Sequence, residues 1–259
     1  MQDIMGAMRK AITDYNMIQD GDRVAVGVSG GKDSVATLVS LARLRRFCGI
    51  DYSLVAVVLD PQFGGVSADY SEIERLCGEL EVPLDLRRTH IGEIIFDERH
   101  EPNPCSLCAR MRRGLLHDTA KANGCNKLAL GHNYEDAVET FMMNLFHEGR
   151  LGCFSPVTWM SRKQITVIRP LIYSHEKDIL SAVKREGLPI VKSACPADKH
   201  TEREHVKELL TVLEREHGYR DLDALIFGAM QRSGINGWAP CGSCSRADGD
   251  APCAAPPAE

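Results

Sequence analysis

Two cysteines three positions apart are the first residues of this chain that could do chemistry. They are Cys105 and Cys108 in the stretch PNPCSLCARMRRG, residues 102–114, in which three arginines follow the second cysteine. Two sulfurs at this spacing can reach one metal ion or form a redox dithiol. The pair alone therefore leaves three interpretations open: a redox dithiol, half of a zinc site, or part of an iron–sulfur site.

A glycine pair after a short apolar run is the second candidate site. In VAVGVSGGKDSVATL, Gly30 and Gly31 separate a predicted strand from a predicted helix, which is where an open parallel sheet binds ligands. The glycines let the backbone approach an anion, and the helix N-terminus offers free N–H groups. The spacing is not that of a Walker loop, and the alternative is an ordinary tight turn. The predicted phosphate ligands are Ser29, Gly30, Gly31, Lys32, Asp33 and Ser34.

Alternating strands and helices must position these residues. Alternation of this kind predicts an α/β fold, a Rossmann-like parallel sheet with helices on both faces. The segment from Ser233 onwards is rich in Gly, Ala, Pro and Cys and is expected to be irregular. The predicted strands are 23–28, 53–60, 84–86, 127–133 and 165–171, and the predicted helices are 34–46, 69–81, 106–123, 135–148, 175–186 and 201–217.

Composition and charge narrow the classes of function. The chain has 259 residues, of which 44% are hydrophobic and 26% charged, as in ordinary globular proteins. No apolar run reaches the roughly 18 residues of a membrane helix, and the N-terminus has no apolar signal core, so we expect a cytoplasmic protein without membrane contact. There, the ten cysteines are reduced thiols or metal ligands. A net charge of −5 confines any RNA contact to local basic patches.

Three motifs in a fixed order carry a resemblance to a known family. SGGKDS resembles the PP-loop of the adenine-nucleotide α-hydrolase-like superfamily, and LALGHNYEDAVET resembles its strand-end motif. VIRPLIYSHEKDI is similar to a segment of the tRNA 2-thiocytidine synthetases, and the similarity runs from about residue 8 to 215. The resemblance implies cleavage of ATP between its α and β phosphates, adenylation of a pyrimidine carbonyl in tRNA, and replacement of that oxygen by sulfur. The expected product is 2-thiocytidine in the anticodon loop.

The same resemblance gives the cysteine pair a third partner. In this family three cysteines hold a [4Fe–4S] cluster, and the matching residues here are Cys105, Cys108 and Cys195. A cluster with three cysteine ligands keeps one iron open, which could carry a sulfide to the activated base. A persulfide route without a cluster and a zinc site remain alternatives. Cys48, Cys77, Cys125 and Cys153 are expected to be buried apolar side chains, and Cys241, Cys244 and Cys253 remain candidates for a second metal site.

Other site residues are implied by the positions that match the family. Asp136 ends the strand-end motif, where a carboxylate can hold Mg²⁺. Asp60 ends the second strand, where relatives recognise adenosine. Arg112 takes a position at which some relatives have a catalytic lysine, and an arginine there favours electrostatic stabilisation over proton transfer. Gly131, His132 and Asn133 are expected to contact the nucleotide.

The sequence also predicts how the chain is organised and what it meets. A sulfurtransferase domain is expected over 1–217 and a cysteine-containing C-terminal segment over 218–259. The expected partners are tRNA, a sulfur donor such as a cysteine desulfurase or free sulfide, and a second copy of the chain in a homodimer. Three other functions stay open: a tRNA 2-thiouridine synthetase, a lysidine-type tRNA ligase that has no use for three placed cysteines, and a non-enzymatic nucleotide sensor.

Overall fold

A computed structural model describes residues 1–98, 104–192, 195 and 202–241 of the chain. Within these ranges no helix is both long enough and apolar enough to cross a membrane. The strands are β1 Asp22–Gly27, β2 Tyr52–Asp60, β3 Leu84–Arg88, β4 Lys127–Ala129, β5 Val157–Met160 and β6 Ile165–Ile168. The helices are α1 Gln2–Asp14, α2 Lys32–Leu44, α3 Ser71–Glu79, α4 Pro104–Ala122, α5 Tyr134–Glu148, α6 Glu176–Arg185, α7 Glu202–His217 and α8 Leu222–Ser233.

The six strands form one sheet in the order β3-β2-β1-β4-β6-β5. Every neighbouring pair is parallel except β5 and β6, which are antiparallel, so the α/β prediction is confirmed with a correction at one edge. The expected strand 165–171 ends at Ile168, two residues before Pro170, which has no backbone N–H to donate to a neighbouring strand. The order reverses between β1 and β4, and ligands bind open α/β sheets at such a switch point.

Both faces of the sheet are buried, which explains why the β2 sequence is apolar throughout. Leu54, Ala56 and Val58 face a large core that also contains side chains of α1, α2, α6 and α8. Val55 and Val57 face a smaller core with Leu128 and residues of α4. Since alternate residues of a strand point to opposite faces, a strand between two helix layers must be apolar at every position.

The C-terminal part is anchored more firmly than its composition predicts. Trp238 is fully buried in the large core, and its indole N–H donates to the carbonyl oxygen of Phe154 at 2.7 Å. The hydroxyl of Tyr15 donates to the carbonyl oxygen of Trp238 at 2.8 Å. The backbone N–H of Cys241 donates to the carbonyl oxygen of Asp14. The chain up to Cys241 therefore packs against α1, whereas Cys244 and Cys253 lie outside the described residues.

Candidate functional site

The phosphate loop is held by its own serines. The Ser34 hydroxyl accepts from the Ser29 backbone N–H at 3.1 Å and donates to the Gly31 carbonyl oxygen at 2.8 Å. The Ser29 hydroxyl lies 3.2 Å from that of Ser34. Helix α2 begins directly after Gly31, which provides no side-chain cap. The first turn of α2 thus keeps N–H groups and a positive dipole end for an anion.

Two glycines allow close approaches that no other residue would permit. Gly30 has φ of +86°, and a Cβ there would lie 2.7 Å from the Cβ of Val191. The Val191 backbone N–H donates to the Gly30 carbonyl oxygen at 3.0 Å, which ties the loop to the segment after α6. A Cβ on Gly131 would lie 2.9–3.0 Å from backbone atoms of Asp33 and Ser34. The segment after β4 consequently meets the first turn of α2 backbone to backbone at the switch point.

The loop lysine is neutralised by two carboxylates. Lys32 Nζ lies 2.8 Å from Asp33 and 3.0 Å from Glu176 at the start of α6. The other oxygen of Glu176 lies 2.6 Å from Lys207 on α7. Burial lowers the pKa of Lys32, but its contacts with the two carboxylates outweigh burial and leave that pKa raised. A charged, half-buried ammonium therefore lies at the N-terminus of α2.

The strand-end motif forms a helix cap that is closed by a distant arginine. Asn133 and Asp136 make a reciprocal capping box at the start of α5, each side chain accepting from the other's backbone N–H at 2.9 Å. The second oxygen of Asp136 lies 2.6 Å from Arg203, which also contacts Glu139 at 3.3 Å. The Asn133 side chain donates to Asp33 at 3.2 Å. The motif is thereby joined directly to the phosphate loop.

His132 is held neutral in an apolar setting. Its ring lies 4.9 Å from that of Phe154, over which Arg169 sits at 4.8 Å. Burial, together with the positive charges of Arg169 and Arg203, lowers the pKa of His132 to about 3. Its Nδ1 is buried and has no hydrogen-bond partner in the described part of the chain. A neutral imidazole with a spare ring nitrogen is therefore available to a ligand.

Helix α4 and the segment before α7 bring the three cysteines into one neighbourhood. Burial raises the pKa of the Cys108 thiol, Arg112 opposes this rise, and the nearby thiols of Cys195 and Cys105 reinforce it. Cys105 is exposed, and the other two are half-buried. Among the described residues, no three His, Cys, Asp or Glu side chains are arranged to hold one metal ion. The three thiols are thus close to one another but are not arranged in the geometry of a metal site.

Four other cysteines differ from these three in burial and therefore in their suitability as metal ligands. Cys77, Cys125 and Cys153 are buried, as expected, and Cys48 is half-buried against the large core. Burial raises the pKa of Cys77 to about 11 and that of Cys153 to about 12. Such thiols stay protonated near neutral pH and are poor metal ligands.

Two cavities meet over the phosphate loop, and Ser29, Gly31 and Arg112 line both. The α4 cavity, of about 400 Å³, lies between α4 and the strand ends and is lined by Val57, Leu59, Leu116, Leu128, Leu130 and His132. The β2 cavity, of about 370 Å³, lies beyond the end of β2 and is lined by Asp60, Phe63, Val66, Tyr70, Ile190 and Lys192. Each has the size of a small-molecule site.

The predicted residues gather around these cavities, but they divide between them. The phosphate loop and His132 lie at the α4 cavity, whereas Asp60 lies at the β2 cavity. Asn133 and Asp136 border the loop through Asp33 rather than lining either cavity. Sequence reasoning missed three charged residues that hold the loop side chains in place, Glu176, Arg203 and Lys207. Only Glu176 lies within a quoted motif, and the other two come from a helix about 170 residues after the loop.

Comparison with known proteins identifies relatives over most of the chain. The family model of the PP-loop domain matches residues 4–214. A tRNA-cytidine(32) 2-sulfurtransferase from Pelobacter propionicus is 43% identical over 213 residues, which cover 81% of this chain and 78% of the relative. A second protein of that name, from Syntrophotalea carbinolica, is 41% identical over 80% of both chains.

A solved structure shares the fold. The U34-tRNA thiolase NcsA from Methanococcus maripaludis, solved with its [4Fe-4S] cluster, superposes with a TM-score of 0.72 at 24% identity. The match covers 90% of this chain and 78% of that one. At this level of identity the likeness is one of architecture.

Proposed function

The chain belongs to the PP-loop domain family and, within it, to the family of the tRNA-cytidine(32) 2-sulfurtransferases, and from this membership we propose that it thiolates a tRNA cytidine at the expense of ATP. The carbonyl oxygen at position 2 of the base attacks the α-phosphorus of ATP, and pyrophosphate leaves. Sulfur then bonds to the activated carbon, and the former carbonyl oxygen departs with AMP. The target, cytidine 32 of the tRNA, is the one that the relatives' name gives.

The phosphate loop holds the ATP phosphates in this proposal. The uncapped start of α2 offers N–H groups to the anion, and Lys32 adds a full positive charge beside them. Pyrophosphate is the more negative product, so these donors stabilise it as it separates. The apolar walls of the α4 cavity suit the adenine ring, and neutral His132 offers a ring nitrogen there.

Asp136 is proposed to hold Mg²⁺ only after one of its oxygens releases Arg203. One of its oxygens caps α5 and the other pairs with Arg203, so both are engaged without ligand. Burial raises the pKa of this carboxyl, and the backbone N–H of Asn133 and the charge of Arg203 offset that rise only in part. A divalent cation that arrives with ATP competes with the Arg203 guanidinium for the same oxygen.

Cys105, Cys108 and Cys195 are the residues that would hold a [4Fe–4S] cluster. The thiols of Cys105 and Cys195 each act electrostatically on that of Cys108, and thiolate sulfur is the donor that iron–sulfur clusters take. When bound by three cysteines, such a cluster has one iron without a protein ligand and supplies the sulfur-handling chemistry of the reaction. Burial raises the pKa of the Cys108 thiol, and Arg112, which lies against it, offsets part of that rise and so favours the thiolate needed for ligation.

One observation carries the proposal: Arg112 lines both cavities over the phosphate loop and also contacts Cys108. The groups for ATP activation and those for sulfur handling therefore share a single residue. Arg112 is proposed to stabilise the negative charge that develops as the adenylated oxygen leaves. The same proposal includes a sulfur donor, which is either a cysteine desulfurase or free sulfide. It also includes a homodimeric assembly and a cytoplasmic location.

Anaerobic turnover with tRNA tests the function. Purified protein is loaded with iron and sulfide, then incubated with ATP, Mg²⁺, sulfide and a tRNA transcript that contains cytidine 32. We expect 2-thiocytidine by nucleoside mass spectrometry, with pyrophosphate and AMP formed in equal amounts. Thiolated uridine with unmodified cytidine would assign the chain to a different target, and no pyrophosphate release with any tRNA would contradict the enzyme assignment.

A further inference from the structure

We propose that the β2 cavity receives the target cytosine and that the carboxylate of Asp60 recognises its exocyclic 4-amino group. This inference rests on the proposed function and assigns a place in the structure to the second substrate. It departs from the sequence-based expectation, in which Asp60 contacts the adenosine of ATP.

Asp60 carries an unused acceptor in a buried position. Its side chain is 2% exposed, and one oxygen accepts from the Gln62 backbone N–H at 3.1 Å. The other oxygen, Oδ2, is buried and has no partner among the residues that the structure describes. Because a buried carboxylate oxygen without a donor is costly, such an atom at a cavity wall indicates a ligand that donates a hydrogen bond.

The other walls of the β2 cavity suit a nucleotide. Phe63 and Tyr70 provide aromatic rings against which an unstacked base can pack. Lys192 and Arg112 add positive charge for the phosphates of an RNA strand. The Tyr70 hydroxyl lies close enough to Asp60 and Arg112 to be influenced by both charges. Aromatic surface, cations and one buried acceptor are thus combined in a single cavity.

The segments that carry the cysteines border this cavity on two sides. Arg112, on its wall, lies one helical turn after Cys108 on α4. Lys192, also on the wall, precedes Cys195 by three residues. The α4 cavity is bordered by α4, including Ala109 next to Cys108, and among the described residues none from the Cys195 segment lines it. A base in the β2 cavity would therefore lie between the two segments that carry the cysteines.

The shared loop gives both substrates access to the same phosphate. Ser29 and Gly31 line both cavities, so adenosine in the α4 cavity and cytosine in the β2 cavity would meet over the loop. In that arrangement the α-phosphate lies between the two bases. In-line attack of the base oxygen on phosphorus needs an arrangement of this kind.

A carboxylate at this place discriminates between pyrimidines. The 4-amino group of cytosine donates a hydrogen bond to Oδ2, whereas uracil presents a carbonyl oxygen at the same position and would be repelled. An asparagine keeps the shape and the acceptor for Gln62, but its amide nitrogen can donate. Asp60→Asn should therefore disfavour cytosine and accept uracil without disturbing the turn.

The test measures base preference and ATP affinity in the same variants. Wild type, Asp60→Asn and the control Asp69→Asn, an exposed carboxylate nine residues away, are given tRNA transcripts with cytidine or uridine at the target position. For Asp60→Asn, kcat/KM on the cytidine transcript should fall about 10- to 100-fold and the preference over uridine should shrink or reverse. The Kd for ATP and the melting temperature should stay at the wild-type values, as should all properties of Asp69→Asn.

Two outcomes would overturn the inference. In the first, kcat/KM and base preference of Asp60→Asn equal those of wild type. In the second, the Kd for ATP weakens as much as thiolation does, which would return Asp60 to the adenosine site. If Asp60→Asn does not fold, Phe63→Ala takes its place and should raise the KM for tRNA without changing the Kd for ATP. Wild-type protein that thiolates no tRNA would instead reject the proposed function itself.

Discussion

The two sides of the phosphate loop differ in how their positive charges are used. On the side of α5 to α7, Lys32, Lys207 and Arg203 each contact a buried or half-buried carboxylate at 2.6–3.3 Å. On the side of α4, Arg112 and Arg113 line a cavity, and the described residues offer them no carboxylate partner. The first side is neutralised within the protein, and the second side, over the part of the chain that the structure describes, is left positive.

This difference in charge suggests that the neutral side positions the loop side chains and that the α4 side binds anions. Ion pairs on the neutral side fix the side chains around the loop before ATP arrives, because they tie α2, α5, α6 and α7 together. Arg112 and Arg113 have no carboxylate partner among the described residues, and in the proposed function they keep their charge for anions from outside, namely ATP, RNA phosphate and a thiolate cluster. Variants on the α4 side should therefore damage chemistry more than stability. Variants of those neutral-side residues that are not proposed to meet ATP or Mg²⁺ should do the reverse.

The largest effect is expected at the cysteines of the α4 side. Cys105→Ala, Cys108→Ala and Cys195→Ala should each lose most bound iron and all thiolation, because a cluster with three thiolate ligands has none to spare. Binding of ATP should persist, since the loop is untouched. The measurements are iron and sulfide content after anaerobic reconstitution, and 2-thiocytidine by mass spectrometry.

Cys125→Ala is the matched control, because Cys125 is buried in the small core beneath the same helix. It should keep both iron and activity. Wild-type protein that holds no iron after reconstitution yet thiolates tRNA would refute the cluster, and zinc without visible charge-transfer absorbance would indicate a zinc site.

A smaller loss is expected at Arg112. Removing a positive group next to a developing negative charge commonly slows an enzyme about 100-fold, so Arg112→Ala should reduce the kcat of thiolation by about that factor. Arg112→Lys should recover part of it, because a charge is restored without the planar fork. Arg110→Ala, on an exposed part of the same helix, is the control and should act like wild type. If Arg112→Ala were as active as Arg110→Ala and wild type, Arg112 would be only a surface charge.

Asp136→Asn should have a moderate effect that distinguishes magnesium binding from capping. Asparagine can still accept from the Asn133 backbone N–H, so α5 should stay capped and the melting temperature should change little. The lost charge should slow ATP-dependent pyrophosphate release about tenfold and raise the Mg²⁺ concentration needed for half-maximal rate. Unchanged rate and Mg²⁺ dependence would mean that Asp136 is a cap and a partner for Arg203.

The elements that were predicted correctly from the sequence are those that depend on residues close together in the chain. The β1 strand, the loop and α2 follow one another within 25 residues, and apolar runs with glycine stops locate them. The edge strand β5 was missed because its four residues are too few to show a period. Arg203 and Trp238 were missed because their partners, Asp136 and Phe154, are distant in the chain and only folding brings them together.

Glu139 gives the neutral side a measurable dependence on pH. Burial raises the pKa of this carboxyl to about 7, and the Arg203 charge offsets burial only in part. The folded protein therefore keeps a proton on Glu139 at pH values where the unfolded chain has lost it. By linkage, this group stabilises the fold fully below about pH 4.5, and the contribution is lost as the pH rises towards about 7.

The smallest expected effect is the removal of that dependence by Glu139→Gln, which is neutral at every pH. Melting temperatures measured from pH 4.5 to 8 should fall less steeply with pH in the variant than in wild type. The expected difference at the upper end is of the order of 1 kcal/mol, or about 2–4 °C for a chain of this size. Glu208→Gln, at an exposed position of α7, is the control and should keep the wild-type slope. Parallel curves for Glu139→Gln and wild type would show that Arg203 holds Glu139 ionised throughout, which would make the neutral side a fully charged network.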